Sequence, residues 1–209
     1  MKVKICGITR AQDAQLAASL GAWAVGFIFW PKSPRYIEPA QARAIADGLP
    51  PRVERVGVFV DESPDRVRAI AAAAGLTIVQ LHGREARMDW DLAVPMMKAV
   101  GLDNAGDEPV LHEWLDVRVL LDAHDPDRRG GTGRTTDWTA ASRIARMREI
   151  VLAGGLRPEN VADAIARVRP WGIDVSSGVE DAPGVKNHER MRALFAAVAE
   201  MSRQAAPRS

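Results

Sequence analysis

Short β-branched runs alternate with longer, Ala- and Arg-rich amphipathic stretches from one end of this 209-residue chain to the other. No other feature restricts the fold as much. Eight strand candidates fall at residues 3–6, 24–29, 55–60, 78–81, 96–100, 118–122, 149–153 and 172–176. Helix candidates lie between them, at 11–20, 39–48, 64–75, 138–147, 158–168 and 188–202, with shorter ones at 84–92 and 109–114. Their punctuation is the expected kind. Thr9, Ser63 and Asp137 stand where N-caps belong, Pro39 and Pro64 in first turns, Gly48 and Gly75 at ends.

Strands buried on both faces read as near-continuous apolar runs, as Val25-Gly-Phe-Ile-Phe29 and Val56-Gly-Val-Phe-Val60 do. Strict β/α alternation implies a parallel sheet. Eight repeats favour closure into a single (β/α)8 TIM barrel of the α/β class, and this length sits at the small end for it. An open doubly wound sheet is the runner-up, although it usually has fewer strands. No Pro-, Gly- or Ser-rich linker divides the chain. The expectation is one catalytic domain over residues 1–202 and a short polar tail at 203–209.

A formal net charge of +1 argues against a nucleic-acid partner, which needs a basic excess. No apolar run is long enough for a membrane span, and the N-terminus lacks the pattern of a secretory signal. The single cysteine, Cys6, cannot form an intrachain disulfide, which points to a reducing cytoplasm, or a multi-cysteine zinc site.

In a barrel, reactive groups belong at the C-terminal ends of strands. That rule selects Cys6, residues 31–35 with Arg35, Asp61, His82, Asp122, the Gly154-Gly155 pair and residues 176–178 with Ser177 and Gly178. Alternation places Lys4 and Cys6 on one face of the first strand. If that face is interior, the thiol is a candidate base; an unpaired cysteine also reads as a small buried apolar residue. Asp122 ends an apolar strand, where a partly desolvated carboxyl suits a general acid or a loop hydrogen bond. Gly130-Gly-Thr-Gly133 matches no nucleotide fingerprint but allows close backbone approach to an anion. The loops holding Gly154-Gly155 and Ser177-Gly178 follow the seventh and eighth strands, where such barrels often bind phosphate. Arg35 offers a planar fork to a carboxylate. His82 could orient a substrate, and Asp174, on the face of Ser176, could bind a hydroxyl or act as a buried structural acid.

Taken together, these segments resemble phosphoribosylanthranilate isomerases. The matching stretches are Lys4-Ile-Cys-Gly-Ile-Thr9, Gly26-Phe-Ile-Phe29, Pro31-Lys-Ser-Pro-Arg-Tyr36, Val56-Gly-Val-Phe59 and Val79-Gln-Leu-His-Gly83. They continue with Leu121-Asp122, Gly130-Gly-Thr-Gly133, Asp137-Trp138, Leu152-Ala-Gly-Gly-Leu156 and Asp174-Val-Ser-Ser-Gly-Val-Glu180. Each is weak alone; in this order, across nearly the whole chain, they are specific. Thr136 stands where the family usually has an aromatic residue, and Asn187 where it usually has Asp.

The resemblance implies an Amadori rearrangement in tryptophan biosynthesis, acting on a small phosphoribosyl substrate with no metal or organic cofactor. It implies Cys6 as general base and Asp122 as general acid. It assigns Arg35 to the anthranilate carboxylate, and Gly154, Gly155, Ser177 and Gly178 to phosphate, with Gly131 contributing. His82 and Asp174 join the substrate-binding set. A monomer or a homodimer is compatible with this surface. Two rival readings are a related phosphate-binding barrel acting on another sugar phosphate and a phosphate-ligand-binding barrel without turnover.

Overall fold

The computed structural model describes residues 1–87, 90, 92–102, 108–123 and 136–204. Eight parallel strands close into a barrel in chain order, with β8 returning to β1. They are β1 (Lys2–Cys6), β2 (Ala24–Ile28), β3 (Glu54–Phe59), β4 (Ile78–Leu81), β5 (Met96–Leu102), β6 (Arg118–Ala123), β7 (Ile150–Leu152) and β8 (Gly172–Val175). Around them run α1 (Ala11–Ser19), α2 (Pro39–Asp47), α3 (Pro64–Ala74), α4 (Glu108–Glu113), α5 (Trp138–Ala145), α6 (Val161–Val168) and α7 (His188–Gln204). A 3₁₀ turn at Ser177–Val179 and an antiparallel hairpin, β9 (Glu180–Ala182) with β10 (Val185–Lys186), separate β8 from α7. No helix among the described residues is long and apolar enough to cross a membrane.

The barrel interior and the strand–helix layer form separate apolar clusters. Ala24, Val56, Ile78, Met97, Ala99, Leu120, Val151 and Ala153 fill the lower interior, and Trp23 and Trp171 pack against them. The two indoles meet edge to face, with centroids 4.9 Å apart. The larger cluster, from Val3 and Ile5 to Leu194 and Val198, lies between strands and helices. Burying each such Leu, Ile or Val stabilises the fold by about 1.5–3 kcal/mol. The interior plug leaves the strands' C-terminal ends for polar side chains.

Local chemistry explains most boundaries. Ser63 Oγ accepts from Arg66 N, and Gly75 adopts the left-handed conformation that ends α3. Asp137 Oδ1 accepts from Thr139 N and Ala140 N to start α5. Asn187 Oδ1 accepts from Arg190 N at 2.8 Å, so the amide still caps α7.

Four sequence expectations are corrected. Thr9 does not cap α1; its hydroxyl donates to Gly184 O at 2.6 Å, tying the β1 loop to the β9–β10 hairpin. The helix expected from Pro158 begins at Val161, because Asn160 Oδ1 accepts from Arg157 N and closes a turn first. No helix forms among the described residues of 84–92. There Glu85 folds back to accept from Gly83 N and Asp61 N. Its carboxylate lies 2.6 Å from Lys98 Nζ, both side chains nearly inaccessible. A side chain committed to strand-end amides and a buried ammonium cannot lie on a helix surface. The tail expected from residue 203 is also corrected, since α7 continues through Gln204; residues 205–209 lie outside the described residues.

Candidate active site

The first strand carries its polar side chains inward. Lys4 is fully buried, and its Nζ lies 2.9 Å from Asp174 Oδ2 on β8, its register neighbour. Cys6 is likewise buried, next to Gly26 on β2. A Cβ at Gly26 would lie 2.8 Å from the Cys6 sulfur and 3.2 Å from Lys4 Cε, so a glycine is what makes room for both. The thiol therefore faces the barrel interior, not the helical layer.

Burial pushes the Cys6 thiol above its ordinary value; the nearby ammonium groups of Lys4 and Lys186 pull the other way without offsetting desolvation. Burial opposes the charge on Lys4 too, but the Asp174 carboxylate and Cys6 outweigh it and raise Lys4 above its ordinary value. Asp174 Oδ1 is buried with no hydrogen-bond partner among the described residues, leaving an acceptor at the site.

The hairpin after β8 braces this end of β1. Lys186 Nζ donates to Cys6 O at 2.5 Å and lies 2.7 Å from Glu180 Oε1. Ser176 Oγ donates to the same Cys6 carbonyl at 3.1 Å. Arg35, which follows β2, meets Glu180 through Nε at 3.0 Å and Nη2 at 2.7 Å. Its Nη1 has no protein partner among the described residues, so Glu180 takes one edge of the fork and leaves the other open. Burial would raise the Glu180 carboxyl, but Arg35 and Lys186 hold it below its ordinary value. Burial lowers Lys186, only partly offset by Glu180.

Asp122 sits near the end of β6, 8% exposed. Its Oδ2 lies 3.5 Å from His82 Nε2, just past β4. Gln80 Nε2 in turn lies 3.2 Å from His82 Nδ1. Cys6 and Asp122 thus stand on strands that are not neighbours, with β7 and β8 between them around the barrel.

The small-residue loops after β7 and β8 come together. Gly154 and Gly155 both have positive φ, 84° and 62°. A Cβ at Gly178 would lie 1.9 Å from Leu156 O, so one loop's backbone packs directly on the other's. Asn160 Nδ2 donates to Gly155 O at 3.0 Å and fixes the turn. Ser177 opens the 3₁₀ turn. Thr136, at the expected aromatic position, is buried and donates to Ala153 O at 2.7 Å. Gly131 lies outside the described residues.

Four residues at the site escaped the sequence reading as functional: Gln80, Glu180, Lys186 and Lys4. Only Lys4 left a signal, since alternation puts it on the face of Cys6. A charge such as Glu180 looks solvated until its partner, 145 residues away, is found beside it.

A family model described as N-(5'phosphoribosyl)anthranilate (PRA) isomerase matches residues 3–197. The N-(5'-phosphoribosyl)anthranilate isomerase of Syntrophus aciditrophicus is 46% identical over 200 residues, which are 94% of this chain and 86% of that protein. The crystal structure of a phosphoribosyl anthranilate isomerase in complex with reduced 1-(o-carboxyphenylamino)-1-deoxyribulose 5-phosphate is similar, with a TM-score of 0.86 and 41% identity over 96% of this chain and 99% of that one. Monomers generated from the dimeric phosphoribosylanthranilate isomerase of Thermotoga maritima give a TM-score of 0.84 and 40% identity, over 95% of this chain and 98% of theirs.

Proposed function

Because the chain belongs to the N-(5'-phosphoribosyl)anthranilate isomerase family, we propose that Cys6 is its general base and Asp122 its general acid. The enzyme is an aldose–ketose isomerase of tryptophan biosynthesis that acts on a small phosphoribosyl ligand. It converts N-(5'-phosphoribosyl)anthranilate to 1-(2-carboxyphenylamino)-1-deoxyribulose 5-phosphate.

Asp122 protonates the ribose ring oxygen; the C1–O bond breaks and the anilino nitrogen becomes an iminium. The iminium acidifies the proton on ribose C2. The Cys6 thiolate removes that proton, and the resulting enolamine tautomerises to the ketone. Each transfer contributes about 10²–10⁴-fold in rate. Burial disfavours a bare thiolate, and the site answers with Lys4, Arg35 and Lys186, which among the described residues pair with two carboxylates, Asp174 and Glu180. That excess of positive charge favours an anion, whether thiolate or substrate carboxylate.

The open edge of Arg35 receives the anthranilate carboxylate. Gly154, Gly155, Ser177 and Gly178 hold the phosphate through backbone N–H groups. Asp174 accepts from a ribose hydroxyl through its unpartnered Oδ1, and His82 orients the substrate beside Asp122. The catalytic domain includes α7 to its end at Gln204. Every group named lies on one chain, so monomer and homodimer are both competent. The single unpaired thiol suits a cytoplasmic setting.

The observation that carries this proposal is the burial of both Cys6 and Asp122 at the C-terminal ends of β1 and β6. The test follows the loss of anthranilate-type substrate fluorescence. Cys6→Ser and Asp122→Asn are each expected to lose most turnover with thermal midpoints close to the parent's. Parent-like rates in either variant would remove that residue from the mechanism.

A further inference from the structure

Gln80, His82 and Asp122 form a short line of side chains. Gln80 and His82 alternate along β4 and just beyond it, so they share the inner face. Gln80 is 1% exposed. Its Nε2 lies 3.2 Å from His82 Nδ1, and His82 Nε2 lies 3.5 Å from Asp122 Oδ2. Gln80 Oε1 is buried with no hydrogen-bond partner among the described residues.

A neutral imidazole carries one proton on one of its two nitrogens. Facing the carboxylate that Asp122 becomes once its proton is given up, Nε2 is attracted only as an N–H; a lone pair there would be repelled. With the proton on Nε2, Nδ1 is an acceptor and needs a donor. The Gln80 amide nitrogen is that donor. Turning the amide over would set Oε1 against Nδ1 and bury an NH2 group without an acceptor. Buried orphan N–H groups are rarer than under-satisfied carbonyls. The idle Oε1 is thus the cheaper side on which to leave the amide unsatisfied.

Resting on Asp122 as the general acid, we propose that Gln80 is a positioning residue that holds His82 in its Nε2–H tautomer, aimed at the acid. When Asp122 passes its proton to the ring oxygen, the carboxylate left behind finds a donor already facing it. The imidazole keeps its own proton throughout. Gln80 acts through His82 and does not itself touch the substrate.

The experiment is ¹⁵N imidazole NMR on the full-length protein, together with the rate–pH profile. The chain has only 4 histidines, and His82→Gln identifies the resonances. In the parent, His82 Nε2 is expected in the protonated range and Nδ1 in the unprotonated range. Gln80→Glu, which presents an acceptor, moves a proton onto Nδ1. Gln80→Met keeps the volume and removes the donor. It lowers turnover about tenfold, the loss expected for one charge-assisted hydrogen bond. It also moves to higher pH the rate–pH break that does not follow Cys6 titration. A packing role alone would leave that break in place. A proton on Nδ1 in the parent overturns the proposal, as does Gln80→Met with parental turnover and an unmoved break. Failure of the acid assignment has a different signature: Asp122→Asn turns over normally while the parent spectrum still places the proton on Nε2.

Discussion

Lys4 and Asp174, 170 residues apart in sequence, are joined across the β1–β8 seam at 2.9 Å with the lysine wholly out of solvent. The pair sets the charge beside Cys6. Desolvation raises the thiol, and the Lys4 ammonium is the largest counterweight. The ion pair therefore bears on the thiol's reactivity as well as on the closure of the barrel.

Lys4→Met removes that counterweight. The Cys6 thiol, already above its ordinary value, should titrate still higher, and iodoacetamide should alkylate it more slowly at neutral pH. Turnover should fall in parallel as the thiolate fraction drops. An alkylation midpoint no higher than the parent's would separate Lys4 from the base.

Gly26→Ala places a methyl group 2.8 Å from the Cys6 sulfur and 3.2 Å from backbone Cα. The sulfur must move, and overpacking of this kind costs about 1–3 kcal/mol. A loss of kcat with little change in KM is expected. Steady-state kinetics and urea unfolding read both effects; parental kcat would mean the sulfur's position is not critical.

Arg35→Ala should raise KM for the anthranilate substrate more than it lowers kcat, because the lost interaction binds substrate and transition state alike. Glu180→Gln should do the same more weakly by loosening the guanidinium. Undiminished affinity in Arg35→Ala would favour a different sugar phosphate as the substrate.

Glu180→Gln also tests stability against pH. Arg35 and Lys186 hold the folded Glu180 carboxyl below its ordinary value. Its contribution is present above the unfolded value and is lost as pH falls through the folded one. The variant should be about 3–5 kcal/mol less stable at neutral pH, since it strands buried cations, and the gap should narrow in acid. Urea titrations at both pH values measure it; an equal gap would contradict the linkage.

Gly178→Ala puts a methyl group 1.9 Å from Leu156 O, where backbone must give way. Separation of the two loops should raise KM at least tenfold if they hold the phosphate, and inorganic phosphate should inhibit the variant less. Unchanged inhibition would place the phosphate elsewhere.

Much of this was legible along the chain. The runs at 78–81 and 172–176 correspond to β4 and β8 because strands buried on both faces need continuous apolar residues. Cys6 and Asp122 stood out because polar groups are rare at the ends of such runs. The Arg84–Leu92 region misled because β/α alternation leaves room there for a short helix, whereas Glu85 is held by strand-end amides and a lysine on the next strand.

The sequence by itself determined the alternation, the barrel class and which strand ends carry a thiol, a carboxylate and paired glycines, since each depends on neighbours within a few residues. Tertiary structure alone decided that Glu180 grips Arg35, that Lys4 sits between Asp174 and Cys6, and that Gln80 meets His82 beside Asp122. Those pairings depend on closure of β8 onto β1 and on low-dielectric burial. Both arise only when distant segments share one interior.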